Sequence, residues 1–480
     1  MSEEPTRAAH DTGFPENLLR FMTTGWATPP GTPAPPVEGI EHFARRRAQL
    51  AAAFPGDTLV VPTGHEKVRA NDTNYRFRPG TDFYYFTGNI EADNVLVIAS
   101  DAAGTPTATL FCEPNPGKTD ATFFTDRVKG ELWVGPRLGL RETSERYGLA
   151  TRPLSELAAA LAEAPSDRVR VLRGIDPELD ASLPASERDL PFAECCSELR
   201  LIKDELEIRE LRRAIAATHA GFDDVVKSLA AAQTERDVET TFDARARREG
   251  NDVGYGTIAA SGPNACTLHW TRNDRVLGEN ELLLLDAGAE AETLYTADVT
   301  RTLPIDGTFT REQREVYELV LAAQDAAFAR CAPGNDFLDP HRAAMDVLAH
   351  GLERLGIVAS AAEALREENQ FYRRYSLHGV SHMLGLDVHD CAQARAQTYK
   401  FGELQAGMVL TVEPGLYFQP DDLTVPARYR GIGVRIEDDV LITPTGVDVL
   451  SAAIPRGVED VEAWVTESRS ATASVRPRTR

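Results

Sequence analysis

Four carboxylates, each set in an apolar strand-like stretch, constrain the fold of this chain more than any other feature. They are Asp286 in ELLLLDAG, Asp298 in TADVTRT, Glu413 in MVLTVEPGLYF and Glu437 in GVRIEDDVLIT, and His382 in HGVSHMLGLDVHD joins them as a fifth candidate ligand. A carboxylate buried without a partner costs several kcal/mol, so a fold that buries these strands has to supply counter-charge. Brought together in one pocket, the four would repel and resist ionising together. Two divalent cations balance all four. Such a pair, about 3.5–4 Å apart, acidifies a shared water and clamps the attacking and departing oxygens of a displacement, which points to a hydrolase.

The stretches differ in how much they say alone. ELLLLDAGAEAETLYTADVTRT reads as an aliphatic strand, a turn region with a glycine, and a second strand. Acidic residues beside hairpins are commonly solvated, and it is the place of Asp286 after four leucines that calls for a partner or a metal. His378, His382 and His389 fall within 12 residues of a chain that has 10 histidines, with Gly379 and Gly385 leaving backbone room beside them. Imidazole serves both as a metal ligand and as a proton carrier at working pH. Glu413 ends a β-branched run where Pro414 and Gly415 turn the chain, and Glu437 follows Arg435 at i−2 on the same strand face. An ordinary ion pair with Arg435 competes with metal ligation as the reason for a buried Glu437.

A chain of 480 residues exceeds what a single core usually serves, so two domains are expected. The formal charge of −23, from 51 Lys+Arg against 74 Asp+Glu, argues against a nucleic-acid backbone or an anionic membrane as partner. MSEEPTRAAHDTGF has neither a basic nor an apolar leader region, and the aliphatic runs are only strand-length, so a cytoplasmic location is expected. Cys112, Cys195, Cys196, Cys266, Cys331 and Cys391 are sparse and form no C-x-x-C pair, which reads as reduced structural thiols, with Cys266 and Cys391 as packing residues.

Residues 1–40 read as a Pro-rich extension, extended and uncored over 24–38. From 41 to 198 a helix near 41–54 is followed by the apolar runs DTLVVPTG, DFYYFTG, NVLVIAS, TATLFC and RVRVLRG, read as strands of an α/β domain. A long helix begins near Ile202. The second domain, 199–467, carries helices at 235–249, 310–330 and 337–356 and strands at 282–289, 295–304, 408–418 and 433–442. Short turn-bounded runs of this kind predict hairpins, hence an α+β domain with a curved, largely antiparallel sheet. Residues 468–480 read as a disordered basic tail.

The series DAG, ADVTRT, HGVSHMLGLDVHD, TVEPGLY and GVRIEDD resembles the pita-bread metallopeptidases, most closely the Xaa-Pro aminopeptidases (aminopeptidase P). RRRAQLAAAFPGDTLVVPTG and FRPGTDFYYFTG look like that family's N-terminal domain. The resemblance implies that Asp286 binds one metal, that Asp298 and Glu437 bridge two, and that His382 and Glu413 complete the other ion, commonly manganese. It implies that His269, in CTLHWTRN, and His389 contact substrate and stabilise the tetrahedral intermediate, that His378 lies at the substrate pocket, and that Glu413 relays the proton to the leaving nitrogen. The expected substrates are peptides with a free N-terminus and proline second, and homo-oligomers are common in the family.

One departure stands out. Eleven residues separate Asp286 from Asp298, against ten in the family's usual motif. Within a strand an extra residue flips the side-chain direction, so it is expected in the turn around Ala291–Thr293. The alternative enzyme is a prolidase with the same metal set. A metal-free binding scaffold and creatinase-like chemistry are disfavoured because all five ligand positions hold ligating residues.

Overall fold

The computed structural model describes residues 13–27, 34–71, 73–101 and 105–475, with side chains to residue 469. The chain divides into two compact units, residues 1–192 and 193–480. Within the expected Pro-rich extension, residues 1–12 and 28–33 lie outside the described residues; the described part holds one short helix, Glu16–Met22, with nothing buried.

The first unit is built on a mixed five-stranded sheet, ordered Ala150–Pro153, Pro106–Cys112, Val95–Ser100, Thr58–Pro62, Val169–Val171. The two outer pairs are parallel and the two inner pairs antiparallel. Val60, Val95, Val97 and Phe111 pack with Leu157 and Leu161 on one face, while the alternate residues Leu59, Val61, Leu96, Ile98 and Leu110 are buried as well. Burial of both faces explains why these strands read as continuous apolar runs.

One of the expected strands is a helix. DFYYFTG forms Thr81–Thr87, with Phe83, Tyr84, Tyr85 and Phe86 buried. A short apolar run does not by itself distinguish strand from buried helix. Here Gly88, at φ 68°, closes the helix in the left-handed conformation that glycine takes without strain. From helix Ile40–Ala53, Arg46 and Arg47 donate to the carbonyls of Tyr85 and Phe86 at 3.2 and 2.7 Å, satisfying the end of that helix.

In the second unit every strand pair is antiparallel. The central hairpin pairs Leu282–Ala287 with Val299–Pro304, and Leu282–Ala287 also pairs with Ile258–Ser261. Leu283 and Leu285 face the helical core with Val316, Val320 and Phe222, whereas Leu284 belongs to a separate cluster with Ile258, Ala260 and Tyr417. Each of the two C-terminal runs read as one strand is broken in two: Val409–Val412 and Gly415–Tyr417 flank Glu413, and Gly433–Arg435 and Asp438–Thr443 flank Glu437. The breaks fall at candidate ligands.

Carbonyls freed by those breaks need other donors. Gln324, buried on helix Arg311–Phe328, donates to Val412 O and Ile436 O at 3.1 and 3.2 Å. Arg301, fully buried, donates to the carbonyls of Thr300, Glu437, Ile454 and Pro455 and to Asp438 Oδ1 at 2.7 Å. These five acceptors match the five N–H groups of a guanidinium. The closing helix, Val458–Val475, runs through the beginning of the stretch read as a structureless tail. Val458, Val461 and Val465 are buried along it, and the Ser/Ala/Thr residues that follow contain no breaker, so the helix propagates. The rest of the expected tail, 476–480, lies outside the described residues. No described helix is long and apolar enough to cross a membrane.

Replacing Arg301 with Met leaves Asp438 buried without its cation. The expected loss is about 3–5 kcal/mol, read as a shift in the urea midpoint of the second unit. A shift worth less than about 1 kcal/mol would place Arg301 outside the supports of the ligand strands.

Candidate metal centre

The hairpin that carries both aspartates sets their direction. Its register runs from Leu282 opposite Pro304 to Asp286 opposite Thr300 and Ala287 opposite Val299. It continues unbroken through Ala297 N to Ala289 O, the Glu290–Thr296 bridge and Ala291 N to Tyr295 O. In that register Asp298 stands opposite Gly288, so Asp286, Asp298 and Thr300 share one face. Gly288 admits no substitute, because a Cβ there would lie 1.7 Å from Ala297 O. No bulge separates the aspartates, which leaves the additional residue of the connection in the turn closed by the Leu294 N to Ala291 O bond, with Leu294 at φ 65°.

The candidate ligands converge. Asp286, Asp298, His382, Glu413 and Glu437 line one cavity of about 550 Å³, and His269, His378 and His389 line the same cavity. Donor atoms of Asp298, His382 and Glu437 all fall within 4.8 Å of one another. His382 Nε2 lies 3.3 Å from Asp298 Oδ2 and 3.4 Å from Glu413 Oε1, while its Nδ1 is 3.1 Å from Met383 O. With the Nδ1 proton given to that carbonyl, Nε2 presents a lone pair to two carboxylate oxygens. That contact is repulsive until a proton or a metal ion enters it.

The charges of the protein alone point the same way. Burial, followed by the neighbouring carboxylates, pushes Glu437 well above the usual range, and Asp298 is raised for the same reason. Burial also acts on Glu413, but the hydrogen bond and charge of His378, with His382 and Arg435, outweigh it and hold that carboxyl low. Burial works against a charged His382 as well, yet Asp298 and Glu413 raise it to about 9. Protons are thus drawn to the positions that cations would occupy. An oxygen-rich set with a single imidazole suits hard divalent ions.

Several partners escaped the sequence reading. Tyr255 Oη sits 2.6 Å from Asp286 Oδ1 and 2.5 Å from Asp298 Oδ1, joining the two aspartates through one hydroxyl. Nothing around Tyr255 in the sequence marks it. Arg435, weighed as an alternative partner for Glu437, pairs instead with Asp286 and also donates to Tyr417 Oη at 2.9 Å and Thr300 Oγ1 at 3.0 Å. Glu437 Oε2 accepts from Thr300 Oγ1 at 2.6 Å. The signal for Thr300 was present, since it lies two residues after Asp298 on the same face.

The histidines take different stations. His378 lies 2.8 Å from Tyr417 Oη through Nε2 and 3.4 Å from Glu413 Oε2 through Nδ1. The ring of His389 is edge-on to His382 at 4.3 Å, and burial, with the nearby charge of His382, lowers its affinity for a proton. His269 is exposed at the mouth. His389 is held by its neighbour: buried Asp390 accepts from Arg200 Nε at 3.0 Å and Lys203 Nζ at 2.8 Å. Gly385 is required here, because a Cβ would lie 2.0 Å from Asp390 Oδ2. None of the six cysteines is in a disulfide, and Cys266 and Cys391 are buried.

A buried, oxygen-rich carboxylate cluster with histidines around an open cavity defines a metal-dependent hydrolase. Residues 209–444 match the model of metallopeptidase family M24, and residues 43–172 match that of the aminopeptidase P N-terminal domain. Xaa-Pro aminopeptidase 1 of Streptomyces coelicolor is 48% identical over 472 residues, 97% of this chain and 95% of the relative. The Escherichia coli Xaa-Pro aminopeptidase is 32% identical over 458 residues, 89% and 98% of the two chains. A solved structure of E. coli aminopeptidase P with the inhibitor Pro-Leu aligns at a TM-score of 0.81 and 32% identity, covering 90% of this chain and 99% of that one; a zinc-substituted form with product aligns at 0.81 too. The chain belongs to metallopeptidase family M24, with the domain composition of aminopeptidase P, and is a metal-dependent peptidase.

Burial raises the Asp390 carboxyl, but Lys203 and Arg200 outweigh it and hold the group well below its ordinary range. A depressed carboxylate stabilises the fold above its unfolded value of about 3.9 and loses that contribution as pH falls below it. Asp390→Asn is therefore expected to lower stability by about 3–5 kcal/mol at pH 7. The gap to wild type should narrow by about 1.4 kcal/mol per pH unit below about pH 4. Urea midpoints across that range would contradict this if the gap stayed constant.

Proposed function

We propose that this chain is an Xaa-Pro aminopeptidase, releasing the N-terminal residue from peptides with proline in second place. What carries the reading is the convergence of eight residues, Asp286, Asp298, His382, Glu413, Glu437, His269, His378 and His389, on one cavity, joined to full-length likeness to enzymes of that name. Asp286, Asp298, His382, Glu413 and Glu437 would hold two divalent ions, and manganese is among the hard divalent ions that such an oxygen-rich set suits. When bound, such ions polarise the scissile carbonyl and acidify water.

The chain's own groups do the rest. An Xaa-Pro amide nitrogen carries no hydrogen, so it offers no N–H to grip and must gain a proton as the bond breaks. Glu413, kept ionised beside His378 and His382, takes the proton of the attacking water and passes it to that nitrogen. His389, with its proton affinity lowered, stays a neutral imidazole and with His269 offers N–H groups to the oxyanion as it develops. The carboxylate end of the cavity receives the substrate's free amine. Ile258, Leu268 and Val388 give the cavity an apolar wall suited to the proline ring.

Six cysteines outside any disulfide fit a cytoplasmic site of action. With the metal-loaded chain, an Xaa-Pro-Xaa tripeptide should be cut after its first residue. Replacing proline by alanine should cut kcat/KM by at least about tenfold, and N-acetylation should abolish cleavage. Equal rates on Xaa-Ala-Xaa would make it a general aminopeptidase, and cleavage of Xaa-Pro dipeptides alone would make it a prolidase. His389→Ala should lower kcat by roughly 10²–10³ with metal content unchanged; loss of metal would contradict its role at the oxyanion.

A further inference from the structure

His269 stands on the connection from strand Ile258–Ser261 to Arg275. A side chain on an exposed connection meets substrate in one place only if the backbone beneath it is fixed. Glu235 fixes it. This residue opens helix Glu235–Glu249, is 0% exposed, and accepts five hydrogen bonds. Oε1 receives Ser261 N at 2.7 Å, Ser261 Oγ at 2.9 Å and Asn264 Nδ2 at 2.9 Å; Oε2 receives Trp270 Nε1 at 2.8 Å and Arg275 N at 3.0 Å. The backbone N–H of Glu235 also donates to Arg275 O at 2.9 Å.

A buried glutamate at a helix N-terminus has a plain structural explanation, since the helix end favours negative charge. What exceeds that explanation is the origin of its donors. All five belong to residues 261–275, and Trp270 is the neighbour of His269 in the chain. Bonds to an ionised acceptor are about twice as strong as neutral ones, so the start, the middle and the end of the connection are tied to one point. Asn273, also buried, secures the return by donating to Thr257 O at 2.8 Å and accepting from Ala259 N at 3.0 Å.

We propose that Glu235 is a positioning residue for catalysis, acting through His269. The inference rests on the reading of His269 as a donor to the oxyanion. Glu235→Gln keeps the shape but turns an amide N–H2 toward groups that are themselves donors. Trp270→Phe removes the single bond next to His269 and keeps the ring, and it carries the test if the first variant does not fold. The experiment compares kcat, KM and metal content of both variants with wild type on an Xaa-Pro-Xaa peptide, and repeats the comparison in a His269→Ala background. Glu235→Gln is expected to lower kcat by roughly 10- to 100-fold and Trp270→Phe by less, with metal content unchanged. In the His269→Ala background either substitution should change kcat by less than about twofold, because effects routed through one residue do not add. Losses in that background as large as in wild type would overturn the proposal. A wild-type rate in His269→Ala alone would refute the reading of His269 itself and remove the basis of the proposal.

Discussion

Mutual repulsion among four carboxylates gathered at one cavity is the constraint to which the rest of the second unit answers. Asp286, Asp298 and Glu437 are each no more than 7% exposed, and at such burial charges on neighbouring groups are poorly screened. Arg435 supplies one fixed positive charge, set against Asp286. Two divalent ions, held as proposed above, would together with Arg435 carry one more positive charge than the four carboxylates neutralise. That surplus would favour negative charge developing on the reacting oxygen, and electrostatic stabilisation of that kind usually contributes more to catalysis than any other single effect.

Holding such a cluster requires a stiff surround. The ligand strands are interrupted at Glu413 and Glu437, which turns their carboxylates inward and frees backbone carbonyls behind them. Gln324 and Arg301 take up those carbonyls. The histidine segment is clamped in a comparable way by the buried Asp390, Lys203 and Arg200. Each is a polar network with its hydrogen bonds largely met, the condition under which buried polar groups specify one arrangement.

This division explains what could be read from the sequence. Asp286, Glu413 and Glu437 are legible because each sits in a stretch whose local pattern conflicts with its charge, and His382 because three histidines and two glycines gather in one short segment. The hairpin register is legible because the position of the turn fixes it. Tyr255, the pairing of Arg435 with Asp286, and the Asp390 clamp are not, because each joins segments between 31 and 190 residues apart. The helix at Thr81–Thr87 misled for another reason: a run buried on every side has no period to read.

The most direct test of a carboxylate cluster built around two cations is calorimetric titration of the metal-free chain with manganese at pH 7 in two buffers of different ionisation enthalpy. Saturation is predicted at two ions per chain, with protons released as cations displace those held at Glu437 and His382. Saturation at one ion, or binding with no proton release, would contradict it.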